Sequence, residues 1–218
     1  MSVHPSRLPV TLLARAPEKG RVKTRLAREV GDALALALHE ALLLDVIDRL
    51  AGWPLTWAMT SSDDACARAR RLAYGIAHET QRDGDLGARI EEALTRRGPG
   101  ASIVVGSDCP FLSEALLEEA AVHASRGFLA PARDGGFVLL AAPPLPPGTL
   151  ACIEWGSERV FEQARDALRR AGFECFVAPE AEQDLDEAAD LPLALVRLEA
   201  APNLAPRTLA LLRALAPR

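Results

Sequence analysis

The chain has 218 residues, of which 49% are hydrophobic and 25% charged, the proportions of one globular domain rather than of a disordered segment. Its formal charge of −5 disfavours a non-specific nucleic-acid binder, which is ordinarily basic. Cys66, Cys109, Cys152 and Cys175 show no CxxC spacing, so they point to reduced thiols in the cytoplasm rather than to a zinc site or a disulfide framework. The apolar run before Arg15 is too short for a signal peptide or a membrane span.

Strand-length apolar runs alternate with helical patterns. Val10–Ala14 reads as a buried strand, Arg21–Arg28 begins a helix, and Asp32–Leu50 is a longer Ala- and Leu-rich helix beyond Gly31. Leu55–Thr60 is a second strand, Asp63–Leu72 a helix, Ile76–Thr80 a third strand, and Asp85–Arg97 a helix closed by Gly98-Pro99-Gly100. Ser102–Val105 is a strong buried strand. Ser113–Ser125 is a helix with Leu116, Leu117, Ala120, Ala121 and Ala124 on one face. Phe128–Pro131 and Phe137–Ala141 are strands around Arg133-Asp134-Gly135-Gly136, and the proline-rich Pro143–Gly148 is irregular. Ser157–Ala171 is a helix, Glu174–Val177 the last strand, and residues 187–201 and 206–216 are terminal helices. The βαβαβ opening predicts an α/β fold, and the later hairpin makes its sheet mixed but mostly parallel. We therefore expect one Rossmann-like, three-layer α/β/α domain over residues 1–218, its core at about 10–191.

Ligands of open α/β sheets gather at the carboxyl ends of strands, and five segments there carry chemistry. After the first strand, Arg15, Lys23 and Arg25 surround Gly20 just before a helix, a combination suited to a di- or triphosphate. The only two lysines, against 23 arginines, are Lys19 and Lys23 of this loop, and lysine is the compact point charge. Neither GxxxxGK[ST] nor GxGxxG occurs. In Gly84-Asp85-Leu86-Gly87-Ala88-Arg89, Asp85 is either a helix cap or part of a site where Gly87 lets backbone approach a base or ribose. Asp108, leaving the strong strand between glycine and proline, is either an Asx turn or a ligand for Mg2+ or Mn2+. Asp134-Gly135-Gly136 is either a hairpin turn or a substrate loop. Asp184 and Asp186, two apart, point to one side of an extended chain and repel unless a cation lies between them, the alternative being a solvated helix start. A sixth segment offers Trp155 as a pocket wall and Ser157 as a helix cap.

In this order the motifs K/R-x-P-x-x-G-x-V-K-T-R-L, G-D-L-G-x-R, G-S-D-x-P, P-A-x-D-G-G-Y/F, W-x-T/S-x-x-V and D-x-D-x-x-x-D-L, over roughly residues 10–191, resemble a bacterial family of glycosyltransferase-A-like proteins with the nucleotide-diphospho-sugar transferase fold. More distantly the chain is similar to phosphoenolpyruvate guanylyltransferases and molybdenum-cofactor guanylyltransferases. The resemblance implies phosphate binding by Arg15, Gly20, Lys23 and Arg25, and nucleotide or substrate contacts at Asp85, Gly87, Asp134, Gly135, Gly136 and Ser157. By analogy with the guanylyltransferases, Asp108, Asp184 and Asp186 would bind Mg2+ or Mn2+, with Asp108 and Lys23 at the chemistry. Phe137 departs from the usual Tyr, Trp155-Gly156-Ser157 from Trp-Ser-Thr, and Gln81-Arg82-Asp83 from a Gln-rich approach to the glycines.

The expected function is metal-dependent glycosyl transfer from a nucleotide-diphospho-sugar to a small-molecule acceptor. The rival is nucleotidylyl transfer from a nucleoside triphosphate to a sugar phosphate or a phosphoenolpyruvate-like acceptor, with release of pyrophosphate. A non-catalytic nucleotide-binding module is the third class. Without metal, the three carboxylates should be frustrated, with one protonated or nearby arginines folded in.

Overall fold

The computed structural model describes residues 7–60 and 62–215. The apolar run before Arg15 is therefore described from residue 7 on, and position 216 of the last expected helix lies outside the described residues. Strands β1 (Val10–Arg15), β2 (Leu55–Thr60), β3 (Ala77–Thr80), β4 (Ser102–Gly106), β5 (Phe128–Pro131), β6 (Phe137–Ala142) and β7 (Phe176–Val177) form one sheet in the order β3-β2-β1-β4-β6-β5-β7. Helices α1 (Thr24–Val30), α2 (Asp32–Arg49), α3 (Asp63–Leu72), α4 (Leu86–Arg96), α5 (Glu114–His123), α6 (Val160–Arg170), α7 (Asp190–Ala200) and α8 (Pro206–Leu215) surround it. β1 pairs in parallel with β2 and β4, β2 with β3, and β5 with β7. β6 alone runs antiparallel to both its neighbours, so the sheet is mixed and mostly parallel, as expected.

Alternation along the strands builds two cores, because successive side chains point to opposite faces. Ile103 and Val105 of β4 join Leu12, Leu43, Val46, Trp57 and Leu117 on one face. Val104 between them joins Leu129, Leu140, Ile90, Leu94 and Leu168 on the other. Each fully buried Leu or Ile contributes about 2 kcal/mol. A third cluster, with Leu26, Leu38, Leu185, Leu198 and Leu209, ties the C-terminal helices to α1 and α2. Buried Asp45 of α2 fastens α8: its carboxylate accepts from the Thr208 amide and hydroxyl, each at 2.8 Å, which satisfies donors at the helix start.

Several boundaries differ from the sequence reading, each for a local reason. The helix expected from Arg21 starts at Thr24 because Lys23 sits in the left-handed region at φ 46°. The strand expected from Glu174 starts at Phe176 because Cys175 has φ 56° and breaks the extended run. Ser157–Arg159 and residues 187–189 are turns, so their helices begin at Val160 and Asp190. The Asp190 carboxylate accepts from the Asp186 amide at 2.9 Å and the Glu187 amide at 2.8 Å, which holds that turn. Ser113, expected as the first residue of its helix, instead caps α5, and the helix tightens to a 3-10 turn over Ala124–Arg126. Among the described residues no helix is long and apolar enough to cross a membrane.

Candidate functional site

β1, β2 and β4 end on one edge of the sheet, and antiparallel β6 begins there. A cleft of about 910 Å³ opens along this edge, lined by Arg15, Thr60, Gly106 to Asp108 and Phe137, among others.

Its centre is a buried ammonium. The Lys23 side chain is 2% exposed and lies between two carboxylates, paired with Asp108 and 2.9 Å from Oδ1 of Asp186. Its backbone is left-handed, a conformation that costs a non-glycine residue about 1 kcal/mol or more and persists where the surrounding structure over-determines it. Burial pulls the Lys23 pKa down, but Asp108 and Asp186 outweigh it and hold the ammonium above its ordinary value. Burial likewise works to raise the Asp108 carboxyl, yet Lys23, then His39 and Ser107, bring it below its usual range. Among the described residues Asp184 forms no ion pair, and burial, then Asp134 and Asp186, push its carboxyl up to about 6.

Backbone pairing explains how residues so distant in sequence meet. The segment before Asp184 lies beside β5 as an incomplete strand: the Glu182 amide donates to the Pro131 carbonyl at 2.8 Å, and Arg133 to Glu182 at 2.9 Å. Further on, the Leu185 amide donates to the Asp108 carbonyl at 3.0 Å. Asp184 and Asp186 are thus delivered to the end of β4.

The three carboxylates are hard oxygen donors of the kind Mg2+ and Mn2+ take. Asp108 and Asp186 keep 46% and 45% of their side chains exposed, so both have surface open to the cleft, and beside them the Asp184 carboxyl is held up by Asp134 and Asp186. In donor type and charge the residues fit a divalent ion. As they stand, no group of three or more His, Cys, Asp or Glu among the described residues is drawn together as a ligand set. The sequence led us to expect one protonated carboxyl or folded-in arginines; the cation between Asp108 and Asp186 is instead Lys23.

Asp134-Gly135-Gly136 takes the first of its two readings. It is the hairpin turn between β5 and β6, closed by the Ala132 amide on the Gly136 carbonyl at 2.9 Å and by the Gly136 amide on Asp134 Oδ1 at 2.8 Å. Asp134 and Gly136 also line the cleft, as do Arg15, Lys23, Arg25, Asp108, Ser157, Asp184 and Asp186. Gly20, Asp85, Gly87 and Gly135 do not. Gly87 is packed inward, where an added Cβ would lie 2.8 Å from the Leu150 carbonyl oxygen and 3.2 Å from the Trp155 ring. Asp85 caps α4, accepting from the Ala88 amide at 2.8 Å. Asp85→Ala should therefore lower stability by about 1 kcal/mol, and Asp85→Asn by little, in urea unfolding. Ser157 stands in a turn with its hydroxyl accepting from the Arg159 amide at 3.3 Å, ahead of the helix it was expected to start.

Sequence reasoning missed His39, Thr60, Gln81, Arg89 and Glu158, which all line the cleft. His39 is a buried polar residue on an otherwise Ala- and Leu-rich helix face. It lies 3.1 Å from the Arg15 carbonyl, which can only accept, so Nε2 carries the proton. Burial holds its imidazole below the ordinary value, against the pull of Asp108.

Sheet order, helix layers and edge cleft define a nucleotide-diphospho-sugar transferase fold. The chain belongs to the family of uncharacterised proteins conserved in bacteria designated DUF2064, whose model matches residues 43–157. It is similar, at 26% identity over 94% of both chains and a TM-score of 0.85, to the crystal structure of a "putative nucleotide-diphospho-sugar transferase" from Desulfovibrio desulfuricans G20. It shares its fold with a nucleotidyl transferase from Methanothermobacter thermautotrophicus, at 14% identity over 90% of this chain and 100% of that one, TM-score 0.56. The same holds for 4-diphosphocytidyl-2C-methyl-D-erythritol synthase from Anaerococcus prevotii DSM 20548, at 10% identity over 88% and 99%, TM-score 0.55. No curated protein matches.

Proposed function

We propose that the chain is a transferase that takes a glycosyl group from a nucleotide-diphospho-sugar and passes it to a small-molecule acceptor in the cytoplasm. The observation that carries this reading is the division of charge along the cleft. The arginines and the lysine that line it, Arg15, Arg21, Lys23, Arg25 and Arg89, come from the end of β1, the loop and helix after it, and α4. On the side of the β5–β6 turn the cleft is lined by Asp134 and Glu158 with Phe137, Val138 and Trp155. Phe137 and Trp155 meet edge to face, with ring centroids 6.3 Å apart. A diphosphate suits the first half. A neutral sugar suits the second, with carboxylates accepting from hydroxyls and rings covering the apolar face. A phosphorylated acceptor would meet repulsion there.

In this mechanism Lys23, Arg15 and Arg25 hold the diphosphate and offset the charge that grows on it as the glycosyl bond breaks. Asp134 and Ser157 orient the sugar, and Trp155 and Phe137 exclude water from one side of it. Mg2+ or Mn2+ held by Asp108, Asp184 and Asp186 would add positive charge at the departing diphosphate.

The test is a panel of nucleotide sugars and nucleoside triphosphates with and without Mg2+ or Mn2+, read first by thermal shift. A ligand at a hundred times its Kd adds about 2.7 kcal/mol of stability. We expect metal-dependent stabilisation by a nucleotide sugar and release of nucleoside diphosphate on turnover. Release of pyrophosphate from a triphosphate instead would assign nucleotidylyl transfer, and binding without turnover of any donor a non-catalytic module.

A further inference from the structure

On the β2–β3 side of the cleft stands a guanidinium without a counter-charge. Arg89 of α4 lines the cleft half-buried, and among the described residues it forms no ion pair. Its NH1 donates to the Gln81 side-chain oxygen at 3.4 Å, and its Nε is buried with no partner. Gln81 is itself pinned twice to β2: its side-chain amide donates to the Ala58 carbonyl at 2.8 Å and its backbone amide to Met59 at 3.0 Å. Its side chain is therefore committed to holding Arg89. One turn earlier on α4, Leu86 lines the same stretch of cleft and is 42% exposed.

A partly buried guanidinium with open donors calls for an acceptor. The loop after β1 has phosphate-binding cations of its own, and Leu86 offers an apolar face beside Arg89 that a flat base would cover and a phosphate would not. Arginine is a donor-only fork. It matches a base edge with two adjacent acceptors: O6 and N7 of guanine, or O2 and N3 of cytosine. Adenine and uracil set a donor next to the acceptors of their recognition edges.

We propose that Arg89, positioned by Gln81, reads the base of the bound nucleotide and selects guanine or cytosine over adenine and uracil. The inference rests on the nucleotide reading above. It is tested by calorimetric binding of GDP, CDP, ADP and UDP to the wild-type chain and to Arg89→Lys and Gln81→Leu. In the wild type we expect GDP or CDP to bind about tenfold or more tighter than ADP and UDP, the relative strength of those two naming the base. Arg89→Lys, which keeps the charge and loses the fork, should bring all four within about threefold. Gln81→Leu should do the same with the guanidinium intact, a change in selectivity that a merely structural role would not produce. Equal binding of all four by the wild type overturns the base reading and leaves the nucleotide reading standing. A common loss for all four in Arg89→Lys, with the preference intact, overturns it in favour of a phosphate contact. A wild type that binds none of them overturns both.

Discussion

Lys23→Met should abolish nucleotide binding and lower stability by about 2 kcal/mol. Removing one partner of a fully buried ion pair costs about 3–5 kcal/mol. Here the lysine is buried but both carboxylates are about half exposed to the cleft, so water absorbs part of that loss. The destabilisation comes from Asp108 and Asp186 facing each other without the ammonium. Adding Asp108→Asn and Asp186→Asn to Lys23→Met should therefore restore most of the stability and none of the binding. Urea unfolding and calorimetry on both variants check this: binding that returns with stability would mean that Lys23 serves only the fold. Asp108→Asn alone should also cost stability, since Lys23 already compensates Asp108.

Gly135→Ala should be the most damaging substitution of a single methyl group, at about 3 kcal/mol or more. A Cβ there would lie 2.2 Å from the Glu158 carbonyl oxygen and 2.6 Å from its carbon, backbone atoms that cannot swing away. The left-handed φ of 88° adds the usual alanine strain. The clash falls where the Phe161 amide donates to the Gly135 carbonyl at 2.7 Å, so the turn and the start of α6 would part together. Gly156→Ala is the matched control. It has the same φ of 88° but nothing within 4 Å of an added Cβ, and should cost only about 1 kcal/mol in thermal or urea unfolding. Equal losses in the two variants would assign the whole effect to backbone strain.

Most of the fold was legible because the strands alternate or run apolar and the helices carry one buried stripe. Ser102–Gly106 and Leu55–Thr60 could be read on burial alone. The insertion of β6 between β4 and β5 could not, because hairpin strands announce each other and not the third strand beside them. The loop cations, Asp108 and the Asp184/Asp186 pair were legible as residues of one strand-end cleft, since charge and glycine at strand ends gather there. That Lys23 itself lies between two of those acids was not, because its left-handed backbone is set by the surrounding structure rather than by its own preference. Gly87 and Gly135 were read as close-approach glycines. The approach is real, but the neighbour is Leu150 in one case and Glu158 in the other, in the protein itself.

The incomplete strand that carries Asp184 has a kinetic consequence. It is fastened to the sheet margin by the backbone hydrogen bonds of Arg133, Glu182 and Leu185, and its buried side chains are Gln183 and Leu185. A central strand such as β4 opens to solvent only when the whole domain unfolds, whereas a marginal segment held this way opens at a fraction of that free energy. The amides of these three residues should exchange with solvent deuterium ahead of the β4 amides, and as a cooperative set. A ligand that bridges Asp184 and Asp186 to the loop after β1 would slow that set and leave the sheet interior unchanged. Exchange at three backbone positions would thereby report on occupancy of the acidic end of the cleft without any assay of turnover.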